Sequence, residues 1–324
     1  MTLIQSLGAK VVVDTGTQSL RSSNPAAVAP IPSPEAVAGG HYRNIETRLD
    51  AASRTFWCHV RPQGEPIVSR GVLSDVARVQ AWLDTSFGDS RTAGDMPFSH
   101  FVFASRTPGI FNLGGDLDHF AECARTGDHA SIRSYAHTCV DVLYRNARAF
   151  DLPVITMALV QGDALGGGFE WALSFDMIVA ERGAKMGLPE ILFNLFPGMG
   201  AYSFLSRRLD PVRAKRMIMS GQIYTAEQLH EMGLVDVLAE DGEGEAAAVR
   251  YIAENAPRHG AHLAIHRTRR RVNPVSLDEL RDVVDIWTDA VLCLTEPDLR
   301  KMARLTSMQR KRLSRMASAS GAAE

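Results

Sequence analysis

Apolar residues recur along the chain with two spacings, and each spacing indicates a type of element. Apolar or strand-forming runs at 56–60, 100–104, 153–160 and 177–180 predict buried strands, and the pattern is already strand-like from Ile45. Between these runs the apolar positions recur every three to four residues. Ser74 is predicted to open a helix that carries Val76, Val79 and Leu83 on one face, and further helices are predicted at 128–150 and 166–174.

Beyond residue 188 the helical spacing dominates. Helices are predicted at 201–209, 211–219, 226–232, 244–255, 276–294 and 297–315. Strands that alternate with helices are typical of an α/β core, here followed by a helical region. The expected organisation is therefore an α/β core over 41–240 and a C-terminal helical region over 241–324.

The first 40 residues differ from the rest in composition. They contain no aromatic residue, and they hold four prolines within a stretch rich in alanine and serine. Such a segment buries too little apolar surface to offset the entropy lost on ordering. A disordered tail is predicted over 1–40, with the fold starting near His41.

Composition and charge narrow the class of protein. The 324 residues are 45% hydrophobic and 22% charged with a net charge of -2, which is typical of a globular protein and gives no general case for nucleic-acid or membrane binding. The best apolar run, 153–160, is too short to span a bilayer, and no signal peptide is apparent. We expect a cytoplasmic protein.

The four cysteines are scattered along the chain without a CxxC pair: Cys58, Cys123, Cys139 and Cys293. This spacing favours buried free thiols over a disulfide framework or a zinc site. We therefore expect neither a metal nor a cofactor.

Two glycine-rich turns follow predicted strands. Gly166, Gly167 and Gly168 stand at the mouth of a predicted helix, where unshielded backbone N–H groups suit an anion or a developing oxyanion. Gly114 and Gly115 follow the run at 100–104 and could bring a second N–H donor to the same point. Each turn taken alone is equally well explained by the backbone angles of a strand exit.

Two glutamates lie next to apolar residues beside glycine-bearing segments. Glu170 stands between Phe169 and Trp171, and Glu190 stands close to Leu188 and Ile191. Burial raises the pKa of a carboxyl group towards neutrality, which suits general acid–base catalysis. The alternative for either glutamate is a helix-terminal residue that accepts backbone hydrogen bonds.

Taken in order, these motifs resemble the enoyl-CoA hydratase/isomerase (crotonase) superfamily over roughly residues 42–315. The matching segments are the glycines and glutamate of 166–170, the Gly-x-Pro-Glu of 187–190 and the Pro-Gly-x-Gly of 197–200. The resemblance implies a ClpP-like β-β-α spiral core with a C-terminal helical region, assembled as a homotrimer or a dimer of trimers. It also implies an oxyanion hole at Gly115 (Gly114 if the register slips by one) and Gly167, with Glu170 and Glu190 as the acid–base pair.

A narrower resemblance concerns the segments 111–117, 158–170 and 186–204, which are similar to the diffusible signal factor synthases. It implies dehydration of a 3-hydroxyacyl-acyl carrier protein and hydrolysis of the thioester, which releases a cis-2-unsaturated fatty acid for quorum sensing. Gly114, Trp287 and Leu305 would then bind substrate, with an acyl-acyl carrier protein or acyl-CoA as the substrate. The receiver domain of a sensor kinase is a further partner that this resemblance implies.

Two other functions remain open. An enoyl-CoA hydratase/isomerase of fatty-acid metabolism would carry the same residues. A non-catalytic or RNA-binding homologue would use the basic segments 267–271 and 300–315, but no aromatic residue interleaves with their charges. A solvated helix face is the simplest explanation of these charges, so we expect no nucleic-acid partner.

Overall fold

The computed structural model describes residues 42–320, so the tail predicted at 1–40 lies outside the described part of the chain. Strands and helices alternate up to residue 193, and helices dominate afterwards. Ten strands form in residues 42–320: β1 (Ile45–Asp50), β2 (Thr55–Val60), β3 (His100–Ser105), β4 (Ile110–Asn112), β5 (Ile155–Val160), β6 (Asp163–Leu165), β7 (Met177–Glu181), β8 (Lys185–Gly187), β9 (Ile223–Thr225) and β10 (Val237–Ala239).

The same residues form eleven α-helices. They are α1 (Arg70–Phe87), α2 (Leu117–Thr126), α3 (His129–Ala147), α4 (Gly167–Leu173), α5 (Ala201–Arg208), α6 (Pro211–Ser220), α7 (Ala226–Glu231), α8 (Gly244–Asn255), α9 (His259–Val272), α10 (Leu277–Leu292) and α11 (Glu296–Ser320). Short 3₁₀ turns join some of them, including Pro189–Phe193 after β8. No helix among the described residues is long and apolar enough to cross a membrane.

The strands form two sheets through which the chain winds as a spiral. A six-stranded sheet has the order β1-β2-β3-β5-β7-β10, and a four-stranded sheet has the order β4-β6-β8-β9. Each turn of the spiral places one strand in each sheet and then a helical segment, as in β3-β4-α2 and β5-β6-α4. This is the expected β-β-α spiral of the crotonase fold, and the expected helical C-terminal region follows it.

Most pairs in both sheets are parallel, as crossover connections require. The antiparallel exceptions are β1 with β2 at one edge and β8 with β9 at another. Strands β2, β3 and β5 are buried along their whole length, which explains why they read as continuous apolar runs in the sequence.

Apolar side chains cover both faces of the six-stranded sheet. One face packs into the main core, which extends to α1, α3 and α10. The other face forms a smaller cluster in which Trp57, Val102 and Met157 pack against Ile252 of α8 and Leu263 of α9. The central strands are therefore shielded from water on both sides.

Helix α1 begins at Arg70 and not at Ser74, which corrects the predicted start. Ser69 is the N-cap, and its hydroxyl accepts a hydrogen bond from the Val72 N–H at 3.2 Å. Asp75 does not cap the helix, because its Oδ2 accepts the backbone N–H groups of Arg43 and Asn44 at 3.0 and 2.8 Å.

The predicted elements also omit α2, α9 and the three-residue strands of the second sheet. Helix α9 is mostly polar and buries one apolar residue, Leu263, so its sequence lacks the recurring apolar positions from which the other helices were predicted. The strands β4, β6 and β8 are too short for a period-two pattern to stand out.

Three of the four cysteines are buried free thiols, as predicted, but Cys293 is exposed. It stands at the C-cap of α10, where the helix ends before α11 begins. The prediction of a buried thiol is wrong for this residue.

A buried polar network joins α1, α3 and the end of α4. Gln80 donates to the Val142 carbonyl oxygen and to Asn146 Oδ1, both at 3.0 Å. Asn146 in turn donates to Ser174 Oγ at 3.1 Å. Because these groups are buried, removing one member leaves its partners without hydrogen bonds.

We therefore expect Asn146→Ala to lower the free energy of unfolding by about 1–3 kcal/mol. Urea unfolding at pH 7 measures this change. The matched control is Ser134→Ala, because Ser134 is exposed on the same helix. Equal stability of Asn146→Ala and the control would show that the network does not contribute to stability.

Candidate active site

Three segments of the candidate site follow three neighbouring strands of the smaller sheet. Strand β6 pairs in parallel with both β4 and β8, so the segments that leave these strands emerge at the same edge. The segment after β4 carries Gly114 and Gly115, the segment after β6 carries Gly167 and Glu170, and the segment after β8 carries Glu190. The sheet thus brings together residues that are up to 76 positions apart along the chain.

The first two segments approach each other closely because they lack side chains. A Cβ on Gly114 would lie 2.8 Å from the Leu165 carbonyl oxygen, and the positive φ of 99° at Gly114 also favours glycine. A Cβ on Gly168 would collide with the carbonyl oxygen of Asn112. The glycine clusters therefore permit backbone contact as well as turning the chain.

Two backbone N–H groups face the cavity that these segments enclose. The Gly115 nitrogen lies 3.5 Å from the point that a Cβ on Gly167 would occupy. In the described part of the chain, neither the Gly115 nor the Gly167 N–H donates a hydrogen bond to another protein group. Two neighbouring, unused donors are what a carbonyl oxygen requires when it acquires negative charge.

Glu170 is held rigidly beneath these donors. It is 1% exposed, and its Oε1 accepts the Ala201 N–H at 2.9 Å. Ala201 begins α5, whose N-cap residue, Gly200, has no side chain to offer. Glu170 therefore supplies the missing cap of a neighbouring helix, which is one of the two roles that the sequence allows.

Glu190 approaches from the opposite side on the 3₁₀ turn Pro189–Phe193. A Cβ on Gly166 would collide with Glu190 Oε1, so this carboxylate lies directly against the glycine turn. Its Oε2 is buried and has no hydrogen-bond partner among the described residues. A reactant in the cavity could therefore bind this oxygen without displacing a protein group.

Burial shifts the proton affinity of both carboxyl groups in the same direction. Desolvation raises the pKa of Glu190 to about 7. Desolvation, and then repulsion from Glu190, raise the pKa of Glu170 well above its usual range, although the N–H groups of Ala201 and Met199 oppose this shift. Each carboxyl group therefore binds its proton more tightly than an exposed glutamate, and the charge of one influences the titration of the other.

The carboxylates and the N–H donors line one cavity of about 600 Å³. Gly114, Trp287 and Leu305, which the sequence suggests as substrate-binding residues, line the same cavity. All seven residues singled out in the sequence therefore line one cavity, although residues from five different helices contribute to its wall.

Apolar side chains form the far wall of this cavity. The Phe120 and Trp287 rings meet edge to face with centroids 4.9 Å apart, and a Cβ on Gly198 would collide with the Trp287 ring. Phe120, Tyr135 and Met199 line the cavity but were not predicted as site residues. Phe120 lies on α2, which the sequence pattern did not reveal, whereas Met199 lies inside the Pro-Gly-x-Gly motif.

The fold and this site together define an α/β enzyme scaffold with paired backbone donors and paired buried carboxylates. A model of the enoyl-CoA hydratase/isomerase family matches residues 90–278, which is more than half of the chain. The chain therefore belongs to the enoyl-CoA hydratase/isomerase family.

Similar sequences include the 2,3-dehydroadipyl-CoA hydratase of Escherichia coli (strain K12), 38% identical over 136 residues that cover 41% of this chain and 49% of that protein. The mitochondrial methylglutaconyl-CoA hydratase of Mus musculus is 36% identical over 150 residues, which cover 45% of each chain. The matches thus span less than half of the length of these curated relatives.

Similar solved structures show the fold. The human mitochondrial delta3-delta2-enoyl-CoA isomerase has a TM-score of 0.66 at 15% identity, and the alignment covers 83% of this chain and 99% of that chain. An enoyl-CoA hydratase/isomerase from Xanthobacter autotrophicus Py2 has a TM-score of 0.65 at 20% identity, with 86% and 97% covered. Both alignments extend over the helical C-terminal region as well as the spiral.

The raised pKa of Glu190 predicts how stability depends on pH. Because the folded state binds this proton more tightly than the unfolded chain, the stabilisation it provides is full below about pH 4.5 and is lost as pH rises through about 7. Glu190→Gln removes this dependence. When the pH is raised from 5 to 8, we expect the free energy of unfolding of wild type to fall relative to that of the variant by on the order of 1–3 kcal/mol.

Urea unfolding of both proteins at pH 5 and pH 8 measures this change. The control is Glu231→Gln, since Glu231 is exposed at the end of α7. If Glu190→Gln and Glu231→Gln show the same pH dependence as wild type, the Glu190 carboxyl group is not desolvated in the folded protein.

Proposed function

We propose that this protein adds water to, or eliminates it from, the 2,3-position of a fatty acyl thioester. The observation that carries the proposal is the single cavity in which two unused N–H donors face two buried carboxylates. The names of the related hydratases agree with this chemistry. The alternative of an enoyl-CoA hydratase/isomerase in fatty-acid metabolism is thus the better supported function.

The N–H groups of Gly115 and Gly167 receive the thioester carbonyl oxygen. Loss of the α-proton turns the thioester into an enolate, and the two donors stabilise the negative charge that develops on oxygen. Removing one such donor in other enzymes costs roughly 10²–10³ in rate. The donors act on the intermediate and leave the proton transfers to side chains.

The two glutamates carry out these transfers. In the direction of elimination the Glu190 carboxylate takes the α-proton, since a pKa of about 7 makes it an effective base near neutral pH. Glu170, whose pKa burial raises well above its usual range, donates a proton to the departing 3-hydroxyl group, which leaves as water. In the direction of hydration the same two groups exchange roles.

The apolar part of the cavity accommodates the acyl chain. Trp287, Leu305 and Phe120 line it beyond the carboxylates, and about 600 Å³ lies within the range of ligand-binding pockets. Acyl-CoA is the substrate that family membership supports. Delivery on an acyl carrier protein and a receiver-domain partner stay predictions from the narrower resemblance. The homotrimer or dimer of trimers stays a prediction from the superfamily resemblance, and the cytoplasmic location stays a prediction from the sequence.

Glu170→Gln and Glu190→Gln are expected to lower kcat for crotonyl-CoA hydration by about 10²–10⁴ without unfolding the protein, because an amide cannot transfer the proton. In the wild type, kcat/KM should fall on the acid side of about pH 7, because the proton bound there leaves the glutamate pair without a carboxylate to take a proton from water. Loss of the conjugated thioester absorbance measures the rate. Near-wild-type turnover of either variant would refute the acid–base assignment, and exposed Glu231→Gln is the control.

A second candidate is the synthesis of a cis-2-unsaturated fatty acid signal. The observation that favours it is the presence of both Trp287 and Leu305 in the cavity wall, as the resemblance to the signal synthases implies. The relatives described above are hydratases and isomerases, so this finer function rests on the resemblance and on that placement.

A product assay separates the two candidates. A signal synthase converts a 3-hydroxyacyl-acyl carrier protein into free 2-unsaturated acid and carrier thiol, because water hydrolyses the thioester after the elimination. A hydratase leaves the thioester intact. We expect mass spectrometry to find free acid that disappears with Glu170→Gln if the synthase hypothesis is correct, whereas an intact enoyl thioester as sole product would refute it.

A further inference from the structure

A second cavity lies at the opposite end of the active-site helix from the acyl cavity. It has a volume of about 340 Å³ and contains Leu173, Ser174 and Phe175 in its wall, at the C-terminal end of α4. The first residue of α4, Gly167, lines the acyl cavity instead. The two cavities share no lining residue, so the second one is separate from the proposed reaction centre.

Arginine dominates this second cavity. Four arginines come from the last turns of α9, namely Arg267, Arg269, Arg270 and Arg271. Four more come from three other places in the fold, namely Arg91, Arg148, Arg207 and Arg208. The only acidic residue in the wall is Asp151, and Leu152, Pro153, Pro274 and Val275 supply apolar surface.

Ion pairs within the protein neutralise part of this charge. Asp151 pairs with Arg148. Glu279 pairs with Arg207 at 2.7 Å. Asp176, whose side chain is 1% exposed, lies 3.0 Å from Arg269 and 3.6 Å from Arg270. These three carboxylates form ion pairs with four of the eight arginines, and Asp236 attracts Arg208 without an ion pair, so the cavity keeps an excess of positive charge.

The remaining arginines lack carboxylate partners in residues 42–320. Arg267 and Arg271 are exposed at the rim and form no ion pair there. Arg208 donates to the carbonyl oxygens of Leu173 and Phe175 and to no carboxylate. Desolvation, together with repulsion from Arg269, lowers the pKa of Arg208 to about 10. The empty cavity therefore holds mutually repelling cations, which a bound anion would stabilise.

Arg270 contributes a guanidinium group that the protein satisfies only in part. Its Nε and Nη1 donate to the carbonyl oxygens of His266 and Arg148 at 3.3 and 3.0 Å. Its Nη2 is buried and forms no hydrogen bond in the described part of the chain, since Asp176 is 3.6 Å away. Asp176 therefore attracts this guanidinium group without a direct hydrogen bond to Nη2.

We propose that this arginine cavity binds a compact anion with two or more phosphate groups. A phosphate monoester carries up to two charges and accepts paired hydrogen bonds from guanidinium groups, so two phosphates match the uncompensated charge in a small volume. The volume is near the lower limit of ligand pockets, which favours a small molecule over a polymer. No aromatic ring stands exposed in the wall to stack with a nucleic-acid base.

Isothermal titration calorimetry with inorganic pyrophosphate tests the proposal, with inorganic phosphate as the single-phosphate comparison. We expect one pyrophosphate per chain, bound at least about 10-fold more tightly than phosphate. The double variant Arg267→Gln/Arg271→Gln should raise the Kd for pyrophosphate about 10-fold or more. Absence of binding at millimolar pyrophosphate, or an unchanged Kd in this variant, overturns the proposal.

The matched control is Lys215→Gln/Arg216→Gln on α6, which removes two positive charges that are exposed and line no cavity described above. An equal loss of affinity in this control would mean that the anion follows overall charge and not a site. Crotonyl-CoA hydration should be unchanged in both double variants, and the phosphate-free thioester S-crotonyl-N-acetylcysteamine should not displace pyrophosphate. Displacement would assign the pyrophosphate to the acyl cavity and refute a separate site.

Two further outcomes favour a different occupant. If Arg267→Gln/Arg271→Gln alters the sedimentation coefficient but not the Kd for pyrophosphate, the arginines belong to an interface between copies of the chain. If a single-stranded RNA oligonucleotide binds more tightly than pyrophosphate and depends on the same two arginines, the cavity is part of a nucleic-acid surface. Either result would overturn the proposal of a small phosphorylated ligand.

Discussion

The candidate site depends on the parallel pairing of β4, β6 and β8. This pairing brings three short segments to one edge of the smaller sheet, and the missing side chains at Gly114 and Gly168 let the first two approach to backbone contact. Gly115 and Gly167 consequently line the same cavity. The glycines are therefore a steric requirement of the site, and the proposed oxyanion hole depends on this close approach.

The two buried carboxyl groups reduce the stability of the folded protein when they are charged. Glu170 is partly compensated by the Ala201 N–H, whereas Glu190 keeps a buried oxygen without a partner. Because desolvation raises the pKa of both groups, the pair destabilises the folded state at alkaline pH while it remains ready to exchange a proton near neutrality. Stability and acid–base readiness therefore oppose each other at the same residues.

The active-site helix α4 connects two chemically different cavities. Its N-terminal end meets apolar walls and carboxylates, and its C-terminal end meets the arginine cavity. The sequence predicts that the basic segment 267–271 is a solvated helix face. In the structure only some of its arginines are exposed to solvent. Arg269 and Arg270 turn towards Asp176, and Asp176 also accepts hydrogen bonds from Thr156 at the start of β5. This charge cluster thus packs against the end of the central sheet.

The sequence by itself determined the fold class and the family and singled out the candidate site residues, because buried strands, glycine turns and glutamates among apolar neighbours are local patterns. It did not reveal α2 and α9, since the mostly polar α9 buries only Leu263 as an apolar anchor, and it placed the start of α1 at Ser74 instead of Arg70. It also left open whether Glu170 caps a helix or transfers protons. Only the tertiary structure decided that Glu170 accepts from Ala201, that Phe120 closes the acyl cavity, and that arginines from four parts of the chain meet. These contacts join residues far apart in the sequence, and no local pattern records them.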